Sequence, residues 1–207
     1  MLFTAGKGLV ATLSIGLLGA VAPATAAQAA TPAGFDASVV TANGSGCPNG
    51  TASARTLSDG TSLAIDFDGY YAWSGGNAST TDFRHNCQFA IEISQPQGWT
   101  YAVEGADYSG FAVLDPGITG VQAAHYYFQG ETATASGSHT FAGPYTGTWN
   151  VSDAFGPDEL VFAPCDSALL LNVNTEVRVT PQTDVPEPSA VWLDPSFTLH
   201  LTWQPCS

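Results

Sequence analysis

Basic residues are what this chain most lacks. It has four, Lys7, Arg55, Arg84 and Arg178, against 18 acidic residues. Lys7 falls in a leader segment, so three arginines set against 18 acids leave a charge of −15 on the remainder. Nucleic acid and anionic lipid would be repelled by such a surface; cationic partners and divalent metals stay open. Catalytic signatures are missing as well. No G-x-S-x-G elbow of a serine hydrolase occurs, and no H-E-x-x-H. His85, His125, His139 and His200 are scattered along the chain. The cysteines show no C-x₂₋₄-C spacing of the kind structural zinc sites use. After residue 30 there is neither a clear amphipathic helix nor a second long apolar run, which argues against a helical fold and against a membrane span.

The first thirty residues do contain an apolar run. Lys7 supplies a positive charge, Leu9 to Val21 is apolar except for Thr12, Ser14, Gly16 and Gly19, and APATAAQAA follows. That order predicts a secretory signal peptide. Cleavage after Ala26 or after Ala29 fits the small-residue rule, and the second is preferred. The run is shorter than the roughly 20 residues of a spanning helix. Residues 1–29 are therefore expected to be removed, leaving 30–207 as a single secreted domain. About 178 residues are ample for one core and short for two.

Export gives the four cysteines, Cys47, Cys87, Cys165 and Cys206, a meaning. An even number in an exported chain predicts two disulfides. Three pairings are open; the sequential one, Cys47 with Cys87 and Cys165 with Cys206, is expected. Each would close a loop of about 40 residues, worth roughly 4 kcal/mol in the chain-entropy picture. The stretch TANGSGCPNGTA, residues 41–52, is turn chemistry around Cys47, so it is expected to be a stapled turn.

Period-two alternation runs through most of the rest. Leu63, Ile65 and Phe67 share one strand face. So do Cys87, Phe89, Ile91 and Ile93, and likewise Trp99, Tyr101 and Val103. Leu169 to Val179 and Phe197 to Trp203 repeat the pattern. Turn signals such as Asp115-Pro116-Gly117 lie between. The fold class this implies is all-β: an antiparallel β-sandwich, jelly-roll-like and stapled by two disulfides, with a closed β-barrel as the alternative. Residues 181–196 hold four prolines and read as an irregular loop before the last strand.

Aromatic residues carry the strongest hint of function. YYAW at 70–73 presents neighbouring rings to opposite faces, and Trp192 sits in the proline-rich stretch. Tyr71, Trp73 and Trp192 are candidate ligand-binding residues, because a flat ring packs on the C–H face of a pyranose while polar neighbours take its hydroxyls. Asp66 and Asp68, with carbonyls near Gly69, offer hard oxygen ligands for calcium; no other cofactor is implied. Asp66 with Asp68, or Glu92 with Glu104 on strands read as neighbours, would be the carboxylate pairs of a glycosidase. His200 reads as an ordinary exposed histidine on the last strand. The function expected first is a non-catalytic extracellular binding module for a glycan or a cell-envelope surface. The alternatives are an inhibitor or effector of another extracellular protein, acting through Gly75–Thr81 or Pro181–Ser196, and a hydrolase with an unrecognised site.

Several segments also carry a family likeness. They are GSGCPNGTA (44–52), FRHNCQFAIEI (83–93), QPQGWTYAV (95–103), DYSGFAVLDPGITGVQAAHYYFQG (107–130), VFAPCDSALLLNVNTEVRV (161–179) and LHLTWQPC (199–206). With all four cysteines in place, the chain resembles the secreted family called domain of unknown function 4360, found in fungi and bacteria. The resemblance implies a small exported β-rich domain and carries over no catalytic residue. His85 stands where a second basic residue beside Arg84 would be expected.

Overall fold

A computed structural model describes residues 1–2, 32, 34–48, 51–165, 167–183 and 185–206. Apart from residues 1–2, the expected signal peptide lies outside the described residues. The alternating segments form twelve strands: β1 (Asp36–Asn43), β2 (Ser53–Thr56), β3 (Ser62–Asp66), β4 (Tyr70–Ser74), β5 (Arg84–Ser94), β6 (Trp99–Leu114), β7 (Thr119–Phe128), β8 (Thr134–Ala142), β9 (Tyr145–Ala154), β10 (Leu171–Val179), β11 (Ser189–Leu193) and β12 (Ser196–Pro205). They make two antiparallel sheets. One has the order β1-β5-β10-β7-β8. The other runs β2-β3-β12-β6-β11-β4, with β9 also paired to β6. The sandwich expected from the alternation is what forms, with two open sheets in place of a closed barrel.

Each sheet turns its apolar face inward. Leu63, Ile65, Phe89, Ile91, Val173, Val177, Leu199 and Leu201 are almost wholly buried, and each such side chain contributes about 1.5–3 kcal/mol. Rings from both sheets meet at the centre: Phe67 packs edge-on against Phe89 at 5.2 Å, and Phe197 lies 5.4 Å from Phe89 and 5.1 Å from Tyr108.

Along one side of β6 the strands of the second sheet are interrupted. β12 pairs with the first half of β6, and β11 continues beside its second half. On the outer side β12 meets β3, and β11 meets β4. Two interrupted strands therefore run beside one continuous strand. The interruptions, Phe67–Gly69 and Asp194–Pro195, face each other, and the Phe67 amide donates to the Pro195 carbonyl at 2.9 Å. Gly69 is required there, since a Cβ would come within 2.9 Å of the Leu193 carbonyl oxygen.

One expectation is corrected here. Residues 181–196 are not wholly a loop, and Trp192 lies on strand β11. The apolar run Ala190–Leu193 is flanked by Pro188 and Pro195, positions outside the strand where the missing N–H is not needed by the ladder. The disulfides follow the sequential pairing, Cys47–Cys87 and Cys165–Cys206, with Cα atoms 5.4 and 5.9 Å apart. Cys47 sits in a turn that the Gly46 amide ties to the Asn86 carbonyl at 2.9 Å. The turn after β1 is thus fastened to β5.

Candidate functional site

The outer faces of the two sheets differ in what they leave unused. On the first, side chains satisfy one another. The Asn86 amide donates to Asn174 and the Gln88 amide to Asn172, both at 3.3 Å. Arg84 and Arg178 both grip Glu176, and His125 pairs with Ser136 at 2.8 Å.

The second sheet presents rings. Its strands alternate, so Tyr71 and Trp73 on β4, Trp192 on β11 and Phe111 on β6 all point outward while Ala72, Val191 and Ala112 point into the core. Tyr71 faces Trp192 in the ladder, and Trp192 faces Phe111. The three rings thus occupy one rung, spanning about 10 Å across three strands. Tyr71 and Trp192 stack with centroids 5.6 Å apart and planes 22° apart. Faces in contact near 3.8 Å then need a lateral offset of about 4 Å, so the two rings overlap only in part. Phe111 tilts against Trp192 at 5.8 Å, Trp73 lies 4.9 Å from Tyr71, and His85 meets Trp73 edge-on. Tyr71 remains 42% exposed and Phe111 37%.

Neutral polar groups border this rail. On β9, Thr148 stands opposite Phe111, and Asn150 opposite Ser109; the outward residues Thr146, Thr148, Asn150 and Ser152 are all exposed. A shallow hollow of about 320 Å³ adjoins it, lined by Asp107, Ser109, Asn150, Ser152 and Thr198. Asp194, at the interruption between β11 and β12, accepts a hydrogen bond from the Ser109 hydroxyl at 2.6 Å. Asp107 accepts from the Ser152 hydroxyl at 2.5 Å and lies 2.7 Å from His200 Nε2. The Ser152 hydroxyl first, and His200 after it, hold the Asp107 carboxyl below its ordinary value of 3.8.

Tyr71, Trp73 and Trp192, read from sequence as ligand-binding, are thus brought together although residues 73 and 192 are far apart in the chain. Phe111 joins them through the rung it shares with Trp192, which only the strand pairing reveals. The structure also gives His200 more to do than an ordinary exposed histidine, since its Nδ1 lies 3.0 Å from the Ser62 hydroxyl. Ser62, Asp107 and His200 hold the residue types of a hydrolase triad. Ser62, however, is buried, and its hydroxyl is out of a substrate's reach.

The candidate metal ligands have protein partners. Asp66 pairs with Arg55 at 3.1 Å, and Asp68 accepts from Thr51 at 2.7 Å. Among the described residues no group of three or more His, Cys, Asp or Glu side chains converges. Glu92 and Glu104 do not lie on neighbouring strands: β5 and β6 belong to different sheets. The loops suggested for an inhibitor pack on each other, with the Gly76 amide donating to the Val185 carbonyl at 2.8 Å.

Fold and disulfides define a secreted all-β sandwich with an aromatic outer face. The chain belongs to the family described as Domain of unknown function (DUF4360), which matches residues 33–206. A relative from Arthroderma benhamiae (strain ATCC MYA-4681 / CBS 112371), named an uncharacterized secreted protein, is 36% identical over 173 residues, covering 81% of this chain and 70% of its own. Among solved structures, TmCBM61 in complex with beta-1,4-galactotriose aligns over 83% of this chain and 88% of its own, at 8% identity and a TM-score of 0.29. The enzymatically active domain of bacteriophage CBA120 tailspike protein 4 aligns over 80% of this chain and 19% of its own, at 11% identity and a TM-score of 0.30. Likenesses at these scores carry no argument about function. Among the described residues no helix is long and apolar enough to cross a membrane.

Proposed function

We propose that the chain, exported by removal of residues 1–29, is a non-catalytic glycan-binding module whose ligand lies on the aromatic rail. The observation that carries this reading is the rung of Tyr71, Trp192 and Phe111, outward-facing and partly open, with Trp73 beside it. Rings bury the apolar C–H faces of a sugar, and the row Thr146, Thr148 and Asn150 supplies neutral donors and acceptors for its hydroxyls. An extended chain of sugars suits a shallow, open face better than a small molecule would, because no deep enclosure is needed when several rings share the contact.

Co-sedimentation of the oxidised protein with insoluble polysaccharides and isolated cell walls tests the reading. Retention is expected on at least one, reduced tenfold or more, an anchor-ring loss of about 1.4 kcal/mol or above, by Trp192→Ala. Trp73→Ala should weaken it less. Retention that survives both substitutions, or none on any polysaccharide, sinks the proposal.

A further inference from the structure

The charge around the rail narrows the ligand class, provided the rail is a glycan site as proposed. Every arginine of the chain is already engaged by a carboxylate. Arg84 and Arg178 share Glu176 on the opposite outer face. Arg55, on the edge strand β2, pairs with Asp66 at the end of β3; β2 lies beyond β3 and β12 from the rail's strand β6. Around the rings, the acids include Asp194, two residues from Trp192 at the interruption, Asp107 in the hollow, four residues along β6 from Phe111, and Asp82, whose carbonyl accepts the Trp73 amide at 2.9 Å. Asp194 is exposed and accepts one side-chain hydrogen bond, from Ser109, while a carboxylate has acceptor sites for about four. The histidines nearby are His200, held between Asp107 and Ser62, and His85, which meets the Trp73 ring edge-on. The rail is therefore an apolar strip in a negative field, with carboxylates at the side where the hollow opens.

We infer that the ligand is a glycan bearing ammonium groups, a polymer of amino sugars in the N-deacetylated form, with its rings on Tyr71, Trp192 and Phe111 and its ammonium groups beside Asp194 and Asp107. Stacking is indifferent to charge, so the rings alone would hold neutral polymers too. Uronate-bearing, sulfated or phosphate-bearing chains would be repelled. The carboxylates make the difference between the neutral and the cationic polymer, and because they are exposed that difference is modest and falls with salt.

Cross-linked beads of one β-1,4-linked glucosamine backbone, N-acetylated or N-deacetylated, supply the test. Binding is measured in mildly acidic buffer above the carboxylate range, where amines and carboxylates are both charged. Tighter retention is expected on the deacetylated beads, with the preference reduced about threefold to fivefold by Asp194→Asn. Glu131→Gln, in the turn after β7, removes the same charge far from the rail and should change nothing. Equal retention on both bead types overturns the inference and leaves the rail standing. So does an equal effect of Asp194→Asn and Glu131→Gln, which would mean bulk charge alone. Binding indifferent to Trp192→Ala on both beads overturns the glycan reading itself.

Discussion

Two aspartate–histidine pairs stand one rung apart on the β6–β9 ladder, and they do opposite things. Asp107 faces Ser152 in the register, and Ala106 faces Asp153. Being chain neighbours on one strand, Ser152 and Asp153 point to opposite sides of the sheet. Outside, Asp107 lies 2.7 Å from His200 with its side chain 53% exposed. Inside, Asp153 lies 2.7 Å from His139 with its side chain 1% exposed. The inner carboxylate also accepts the Tyr126 hydroxyl at 2.5 Å, and Tyr126 and Tyr108 share a hydrogen bond of 2.7 Å. Equal distance therefore does not mean equal role. A carboxylate sealed between sheets has its partners fixed by packing and must be satisfied for the sandwich to close. A pair in water holds its geometry loosely and leaves its charge available to a ligand.

The sharpest way to break this contrast is Asp153→Ala. It takes the carboxylate partner from the buried Tyr126 hydroxyl and from the half-buried His139, and should reduce stability by about 3 kcal/mol in urea unfolding. Tyr126→Phe removes two hydrogen bonds, to Asp153 and to Tyr108, leaves the buried Tyr108 hydroxyl without this partner, and should cost about 2 kcal/mol. Gly137→Ala should also harm the fold, because a Cβ there would overlap the Asp153 carboxylate. Tyr101 supplies the control. Its buried hydroxyl has no partner among the described residues, so Tyr101→Phe should be neutral or slightly stabilising, by up to about 1 kcal/mol. A small loss for Asp153→Ala would place the inner pair on the same footing as the outer one.

Alkali probes the inner network without a mutation. Burial pushes the hydroxyls of Tyr70, Tyr101, Tyr108 and Tyr126 above the ordinary value of 10.0. A raised folded value means that the unfolded chain releases these protons first. Their contribution is complete below about pH 10 and is lost as pH rises beyond it. Tyrosinate absorbance from these four should appear only together with unfolding, followed by far-ultraviolet dichroism in the same titration. Their ionisation in a still-folded protein would show the network to be open to solvent.

Much of this architecture was legible in the chain, and the illegible part has a common cause. Alternation reported faces correctly: Leu63, Ile65, Cys87, Phe89, Leu199 and Leu201 all point inward and are buried. It also put Tyr71 and Trp73 on one side of their strand. Alternation says nothing of which strands become neighbours. For that reason alternation does not separate Glu92 and Glu104 into different sheets, and it does not show that Phe111 shares a rung with Trp192. Prolines misled in a different way. Those at 186 and 188 precede β11 and the one at 195 follows it, so they bound a strand and do not break one. His200, Asp107 and Ser62 come from three strands joined only by register, and no local pattern announces such a cluster.

The smallest expected effect belongs to the outer pair. Asp107→Asn keeps the side chain's shape and removes its charge. Because the carboxylate is exposed, the loss of stability at neutral pH should stay below about 1 kcal/mol. The sign of its pH dependence follows from its hydrogen bonds with Ser152 and His200, which depress the folded carboxyl below 3.8. Such a group stabilises above its unfolded value and ceases to do so as pH falls through the folded one. Unfolding curves of the parent and Asp107→Asn should therefore differ slightly at neutral pH and converge well below 3.8. A difference as large as that of Asp153→Ala, or one that persists in strong acid, would make Asp107 part of the fold's support and remove it from the charge that the rail offers to a ligand.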